Sequence, residues 1–409
     1  MPTGLVQPAT SEGELSSHDL PPLYQRFEVA FRYQVSFTRH LFADDNPLFK
    51  HTLNSSGPGR PSRFLCIVEQ GVAAHHPALL ASIRAYADRH AGSISLVGAP
   101  VVVPGGEDAK NDPSLVSAVH RAIHRARIDR HSYVVAVGGG ALLDMIGFAA
   151  ATAHRGVRLV RVPTTVLAQA DSGVGVKNGI NAFDKKNFLG TFAPPVAVLN
   201  DEQFLTTLSD REWRSGIAEA VKVALLKDAD FFREIEENVE QLVGRDLQVM
   251  VRLIYRCAQL HLDHIARSGD AFESGSSRPL DMGHWAAHKL EQLSGYRLLH
   301  GEAVAIGLAL DATYAQRSGL LPAETRDRIV RLLSAAGLPT YASELGEFLH
   351  QRSHPRCVLH GLTEFREHLG GELTIMLPAT IGRGTEVHHV DEDLMSACIR
   401  SLEQEEHQW

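Results

Sequence analysis

The feature that most narrows the fold is a repeated alternation between Phe64 and Leu199, in which short apolar runs, polar or glycine turns and helical periodicity follow one another. Phe64 to Glu69 reads as a buried strand, Pro77 to His90 as a helix, Ile94 to Val103 as a strand and Pro113 to Ala126 as a helix. Tyr133 to Val137 (strand), Leu142 to Ala153 (helix) and Leu159 to Val162 (strand) continue the series, which Val196 to Leu199 closes. Strands alternating with helices of this length imply βαβ units around a parallel sheet, with ligands outside the carboxyl ends of the strands. Ahead of the series, Phe27 to Leu41 alternates apolar and polar residues, the period of a half-buried strand or hairpin.

Beyond Asn200 strand signals nearly vanish. Asp210 to Leu226, Asp230 to Val243, Leu247 to Arg267, Met282 to Leu293, Ala303 to Gln316, Ala323 to Ala336 and Asp391 to Glu403 all carry helical periodicity. The expected fold class is therefore α/β plus all-α. A Rossmann-like parallel-sheet domain with an N-terminal hairpin occupies 23–200, and a helical domain occupies 201–409. Residues 1–22, rich in Pro, Ser, Gly and acid without an apolar core, read as a flexible tail.

A net charge of −8 with no long basic run argues against a nucleic-acid surface or an anionic-membrane binder, so any bound anion must be held by a local cluster of cations. The four cysteines, Cys66, Cys257, Cys357 and Cys398, lie far apart, which indicates neither a disulfide framework nor a thiolate zinc site and fits a reducing cytoplasm. The longest apolar stretch, Val134 to Ala153, carries Asp144 and four glycines, unlike the ~20 apolar residues that span a bilayer.

Several polar loops fall where ligands are expected. Asp171 to Asn187 holds three lysines and three glycines, Gly173, Gly175 and Gly179. Each glycine would cost a helix about 1 kcal/mol relative to Ala, so the segment reads as a structured loop, suited to phosphate and sugar hydroxyls or else a plain surface loop. Gly138 to Gly140, between a strand and a helix, either turn backbone amides toward a pyrophosphate at the helix N-terminus or make a tight βα turn. With Pro104 to Lys110 and Val162 to Thr165, this turn outlines a dinucleotide crevice. Glu69 either accepts from ribose hydroxyls or is an exposed strand-end residue.

In the helical half Glu219 lies in the apolar run Gly-Ile-Ala-Glu-Ala-Val, where an unpaired carboxylate is costly to bury. His284 and His288 stand one helical turn apart, and His300 opens His-Gly-Glu-Ala-Val. Two imidazoles and a carboxylate suit an open zinc-type site, whereas core or surface histidines are the commoner alternative.

Together these residues resemble the sugar phosphate cyclases of the 3-dehydroquinate synthase superfamily, from about Arg63 to Gly382. The elements occur in family order: Pro-Gly-Gly-Glu-x-x-Lys, Gly-Gly-Gly-x3-Asp, Pro-Thr-Thr, Asp-Ser-x-x-Gly-x-Lys, Lys-Asn, Ala-Glu-x-x-Lys, Gly-His-x3-His and His-Gly-Glu. The resemblance implies bound NAD, one divalent metal (zinc or cobalt), a small-molecule sugar phosphate substrate and a homodimer. It implies metal ligation by Glu219, His284 and His300. It implies NAD contacts from Glu69, Glu107, Lys110, Gly140, Ala141, Leu142, Leu143, Asp144, Thr164, Thr165, Lys177, Lys186, Phe204, Leu205, Thr206 and Thr207. Asp171, Lys177, Asn187, Lys222, Asp281 and His288 would face the substrate, with Arg155 reaching into the partner's site.

Departures bear on the substrate. The family's carboxylate-binding Lys is matched by Asp263, its Arg region by Ser277-Arg278-Pro279, and its Asn by Asp281. Exchanging a cation and an amide for carboxylates disfavours an acid-headed sugar and favours sedoheptulose 7-phosphate, since opposed like charges in a low-dielectric pocket cost several kcal/mol. Synthases of the 2-epi-5-epi-valiolone type carry Pro at the second histidine, whereas this chain keeps His288; its motifs look closer to the 2-epi-valiolone branch. Arg366 stands near the family's late phosphate-binding Lys. The implied reaction is transient oxidation, β-elimination of phosphate, reduction and intramolecular aldol closure. Its rivals are 3-dehydroquinate synthase itself and a metal-dependent polyol dehydrogenase.

Overall fold

The computed structural model describes residues 22–54, 60–183, 185–273, 275 and 277–406. Residues 1–21, most of the expected tail, lie outside the described residues, and 22–32 are exposed without helix or strand. Tyr33–Trp409 forms one compact unit.

That unit begins with β1 (Gln34–Thr38), β2 (Ser62–Glu69), β3 (Ile94–Leu96), β4 (Val101–Val103), β5 (Tyr133–Gly138) and β6 (Arg158–Pro163). A hairpin of β7 (Lys177–Ala182) and β8 (Lys185–Phe192) follows, then β9 (Ala197–Asp201). The main sheet has the order β1-β9-β6-β5-β2-β3, with β4 also on β2, and every pairing in it is parallel. Phe64, Cys66, Val68, Tyr133, Val135 and Val137 pack on one face with the Leu79–Arg89 helix. Leu65, Ile67, Val134 and Ala136 pack on the other with the Pro113–Arg125 and Gly140–Thr152 helices. Burial on both faces explains why these strands read as continuous apolar runs.

Three expectations are corrected here. The alternation from Phe27 yields no hairpin: the strand is confined to β1, which pairs in parallel with β9. The run Ile94 to Val103 is two strands, because Gly98, at φ +75°, and Pro100 interrupt it. The Asp171 to Asn187 segment, expected as a loop, contains β7 and the start of β8. Its glycines do exclude an α-helix, but its alternating polar groups belong to an antiparallel pair.

What pins that segment is Arg161, a fully buried cation in the middle of β6. Its guanidinium donates to the carbonyls of Gly173 (3.0 Å), Gly175 (2.8 Å) and Lys177 (2.9 Å) and to Asn178 Oδ1 (2.6 Å). A buried charge is tolerable only when most of its donors are satisfied, as both terminal nitrogens are here, while Nε finds no acceptor among the described residues.

The second half comprises the helices Asp210–Lys227, Ala229–Glu237, Val239–Val243, Leu247–Arg267, His284–Leu293, His300–Arg317, Ala323–Ala335, Ser343–Gly346, His360–His368 and Glu392–Glu406. The single helix expected over Asp230 to Val243 breaks at Asn238, whose φ and ψ of −113° and 11° leave the helical region. An unexpected hairpin of β10 (Ile375–Thr380) and β11 (Arg383–Val387) interrupts the helices. Pro378, which removes a ladder donor, hid it from the strand pattern and sits where the register shifts. No helix among the described residues is long and apolar enough to cross a membrane.

Two helices meet through glycine. A Cβ on Gly307 would lie 2.2 Å from the Gly283 carbonyl oxygen, so the His284–Leu293 and His300–Arg317 helices approach at backbone contact. Gly283 itself adopts φ +77°, a conformation costly for other residues.

Replacing Arg161 by Met leaves four buried acceptors without their donor. Urea unfolding is expected to show a loss of about 3 kcal/mol or more; an unchanged midpoint would mean that the loop carbonyls have other donors.

Candidate active site

The Asp210–Lys227 helix starts at a capping box. Ser209 Oγ accepts from Glu212 N, and the Glu212 carboxylate accepts from Ser209 N at 2.9 Å. Two and three turns later the helix presents Glu219 and Lys222 inward. Glu219 is 0% exposed, and its Oε2 lies 2.5 Å from Lys222 Nζ. Its Oε1 stands 3.2 Å from His300 Nε2 and 3.6 Å from His284 Nε2. The structure thus brings together the three expected ligands, contributed by three helices.

The ring protons are constrained. His284 Nδ1 faces the Met282 carbonyl at 3.1 Å, an oxygen that can only accept, so Nδ1 carries the proton and Nε2 is turned toward Glu219. His300 Nδ1 faces Glu291 Oε2 at 3.0 Å, by the same logic a donor. Burial lowers the His300 pKa, but Glu291 and Glu219 outweigh it and raise it to about 9. Burial acts to raise the Glu219 carboxyl, but Lys222 and the two imidazoles hold it far below the usual carboxylate range. The donor set fits a divalent ion, since zinc bonds of about 2.0–2.2 Å place neighbouring ligand atoms about 3–3.5 Å apart.

From Lys222 the charges continue to Asp171 Oδ2, 3.8 Å away, and Asp171 Oδ1 meets His261 Nδ1. Asp281 is acidified to about 2, since Lys177, His284 and Lys222 overcome the cost of burial. Lys177 pairs with Glu273, and Arg278 Nε lies 3.4 Å from the same carboxylate. His288, its ring 5.4 Å from that of His284, is held neutral by burial and by Lys186.

A second cluster joins the sheet to the hairpin. Lys110 Nζ donates to Asp144 Oδ2 at 2.8 Å and to Asn187 Oδ1. Asn187, at φ +54°, donates its N–H to Asn181, whose side-chain amide donates to Glu107 at 3.0 Å. Lys186 lies 3.4 Å from Glu107 and 2.7 Å from Glu291. Burial raises the Glu107 carboxyl, yet Lys186 and Lys110 bring it below its usual value.

The glycine turn is lined by Glu69 and Thr165. A Cβ on Gly139 would meet them at 3.5 and 3.4 Å, and Glu69 accepts from Gly139 N at 2.7 Å. Thr164 N donates to the Gly138 carbonyl at 3.1 Å. Gly140, Ala141 and Asp144 lie in the first turns of the following helix, but Leu142 and Leu143 point into the core and can offer only backbone. Leu205 is likewise buried in the Glu202–Thr207 turn; Phe204 meets the His76 ring edge-on and Thr207 Oγ1 lies 2.8 Å from His76 Nε2, while Thr206 is exposed.

Two expected positions, Asp263 and Arg366, are not brought in. Asp263, 42% exposed, pairs with Arg267 on the outer face of its helix, so the residue this helix turns toward Asp171 is His261. Two residues apart on a helix, the two side chains differ in direction by about 200°. Arg366 is exposed; Arg155, at φ +61°, is also exposed, as its expected role in a partner's site requires. Sequence reasoning also missed Glu291, although His284, His288 and Glu291 have the i, i+4, i+7 spacing of one helix face. Arg161 had a signal too: a charge inside the run Leu-Val-Arg-Val.

Fold and site define an enzyme whose cleft joins the carboxyl edge of a parallel sheet to converging ligand helices. Family models describe 3-dehydroquinate synthase N-terminal over residues 100–215 and 3-dehydroquinate synthase C-terminal over 216–354. A 3-dehydroquinate synthase of Nitrosospira multiformis is 40% identical over 308 residues, 75% of this chain and 80% of that protein. ValA, a 2-epi-5-epi-valiolone synthase from Streptomyces hygroscopicus subsp. jinggangensis 5008 solved with NAD+ and Zn2+ bound, is 29% identical with TM-score 0.82, covering 94% of this chain and all (100%) of that one. A 2-deoxy-scyllo-inosose synthase complexed with carbaglucose-6-phosphate, NAD+ and Co2+ shares the fold at 23% identity and TM-score 0.72, over 90% of this chain and 96% of that one. The chain belongs to the 3-dehydroquinate synthase superfamily of sugar phosphate cyclases.

Asp311 supports the ligand helices from behind, accepting from Gly283 N at 2.7 Å and Trp285 Nε1 at 2.9 Å. Burial pushes its carboxyl up from 3.8 to about 7, against those two hydrogen bonds. Between about pH 4 and 7 the folded chain retains a proton that the unfolded chain has released, so this group's contribution to stability falls as pH rises and is level above about 7. The unfolding free energy of wild type minus that of Asp311→Asn is therefore expected to decrease over this window, measured by urea titration at several pH values; a flat difference would contradict the assignment.

Proposed function

We propose that this chain cyclises sedoheptulose 7-phosphate to 2-epi-valiolone with loss of phosphate, as a cytoplasmic homodimer. The observation that carries the substrate choice is the charge balance at one end of the cleft. Two cations, Lys177 and Arg278, share Glu273 there, and Asp281 adds a second carboxylate. The set sums to zero, so a substrate carboxylate would have to compete with Glu273 for both cations and face Asp281. A hydroxymethyl head instead donates to Asp281 without leaving a buried charge unpaired.

In this reading residues 23–200 hold NAD through Glu69, Glu107, Lys110, the Gly140 to Asp144 turn, Thr164, Thr165, Lys177, Lys186 and the Phe204 to Thr207 turn. Residues 201–409 hold one divalent ion, zinc or cobalt, through Glu219, His284 and His300. When bound, the nicotinamide removes and returns a hydride while the ion polarises vicinal substrate oxygens as a Lewis acid. Lys222, held protonated between Glu219 and Asp171, donates to a ring hydroxyl. Asp171, ionised beside Lys222 and His261, accepts the hydroxyl proton. Asn187 and neutral His288 hold the phosphate, which itself takes the proton lost in β-elimination. Arg155 reaches from one protomer into its partner's site.

The Nitrosospira multiformis relative favours a second reading, cyclisation of the acid-headed 3-deoxy-arabino-heptulosonate 7-phosphate. Offering the full chain both sugars with NAD and zinc separates them. Faster phosphate release from sedoheptulose 7-phosphate without net NADH supports the first, faster consumption of the acid the second, and NADH accumulation with a polyol a dehydrogenase. NMR of the cyclitol distinguishes 2-epi-valiolone from 2-epi-5-epi-valiolone.

Three variants sharpen the test. Glu219→Ala and His284→Ala are expected to lose zinc and turnover together, and stoichiometric zinc in either would refute the ligand set. Asp281→Asn should raise the relative kcat/KM for the acid-headed sugar by about tenfold or more, the effect of roughly 1.4 kcal/mol; unchanged discrimination would remove the charge argument.

A further inference from the structure

Glu291 has no role in the reading above, yet it bridges a cation of the hairpin and one of the three ligand histidines. It lies two turns after His284 on the same helix face, with its side chain 4% exposed. Its two oxygens are used separately. Oε1 accepts from Lys186 Nζ at 2.7 Å, and Oε2 faces His300 Nδ1 at 3.0 Å. The opposite nitrogen of that imidazole, Nε2, is the atom directed at Glu219. Lys186 comes from β8 and also approaches Glu107, so it ties Glu291 to the hairpin and through it to the sheet.

We propose that Glu291 is a positioning residue for the metal site: by accepting the Nδ1 proton of His300 it fixes the ring's tautomer and rotation, so that the Nε2 lone pair converges with His284 and Glu219. This rests on the reading of Glu219, His284 and His300 as ligands. The chemistry is general. An imidazole ligand whose far nitrogen donates to a carboxylate is a stronger and better-aimed donor, and loss of such a partner costs 10–100-fold in metal affinity. Lys186 anchors the carboxylate by holding its other oxygen. The alternative role, neutralising Lys186 alone, leaves His300 free of Glu291 and makes a different prediction.

The test is zinc binding to the full-length, metal-stripped chain, measured by competition with a chromophoric chelator, with no turnover required. Glu291→Gln keeps the volume and removes the charge. It is expected to bind zinc 10–100-fold more weakly than wild type, with a shifted visible absorption when cobalt replaces zinc. The weakness is expected to persist in the Glu291→Gln/Lys186→Gln double variant. Zinc affinity within twofold of wild type in a folded Glu291→Gln chain, or recovered in the double variant, would overturn the proposal. If Glu291→Gln does not fold, the same titration on Glu291→Asp decides. A wild-type chain that binds no zinc would instead refute the ligand reading on which the proposal stands.

Discussion

The arrangement depends on one expensive fact: the Glu219 carboxylate is withdrawn completely from water. Taking an ion out of water costs several kcal/mol even after relaxation, and the cost is met only by partners of opposite sign in good geometry. Lys222 is one such partner, and it is itself buried, so it draws in Asp171, which in turn draws in His261. On the other side His300 draws in Glu291, then Lys186, then Glu107. Alternating charges therefore run without a gap from the helical half to the hairpin of the α/β half. Removing any one member weakens the charge compensation of its buried neighbours.

Such a chain needs rigid mounts. The parallel sheet supplies one by placing the ends of β2, β5, β6 and β9 on a single edge. Arg161 supplies another by tying the Gly173, Gly175 and Lys177 carbonyls and the Asn178 side chain to β6, which fixes the stretch that begins just after Asp171 and includes Lys177. The glycine contact between Gly283 and Gly307 supplies a third, since it sets how closely His284 and His300 approach. Polar convergence thus depends on close apolar and backbone packing some distance from the reacting groups.

Much of this was legible in the sequence, and the rest was not for identifiable reasons. The α/β alternation and the helical half follow from periodicity, because local spacing dictates them, whereas the meeting of Glu219, His284 and His300 from three separate helices was implied by the family resemblance. The β7–β8 hairpin was hidden because its glycines argue against helix as strongly for a loop as for a strand. The β10–β11 hairpin was hidden by Pro378. The exposure of Asp263 and the inward turn of His261 were not legible because the motif order says nothing of which helix face packs inward. Glu291 could have been found from its i+7 position after His284, but only if the helix face had been traced past the histidines.

That a carboxylate-rich cleft serves a sugar phosphate is not a contradiction. In the proposed reading Asn187 and His288 take the phosphate, with Lys110 and Lys186 beside them on NAD, while the opposite end holds Lys177 and Arg278 against Glu273 and Asp281. Because the balance at the far end is set by pairs rather than by lone charges, one substitution can tip it. Homologues sharing this frame can thus differ in the head group they accept while keeping the same metal ligands and the same sheet edge.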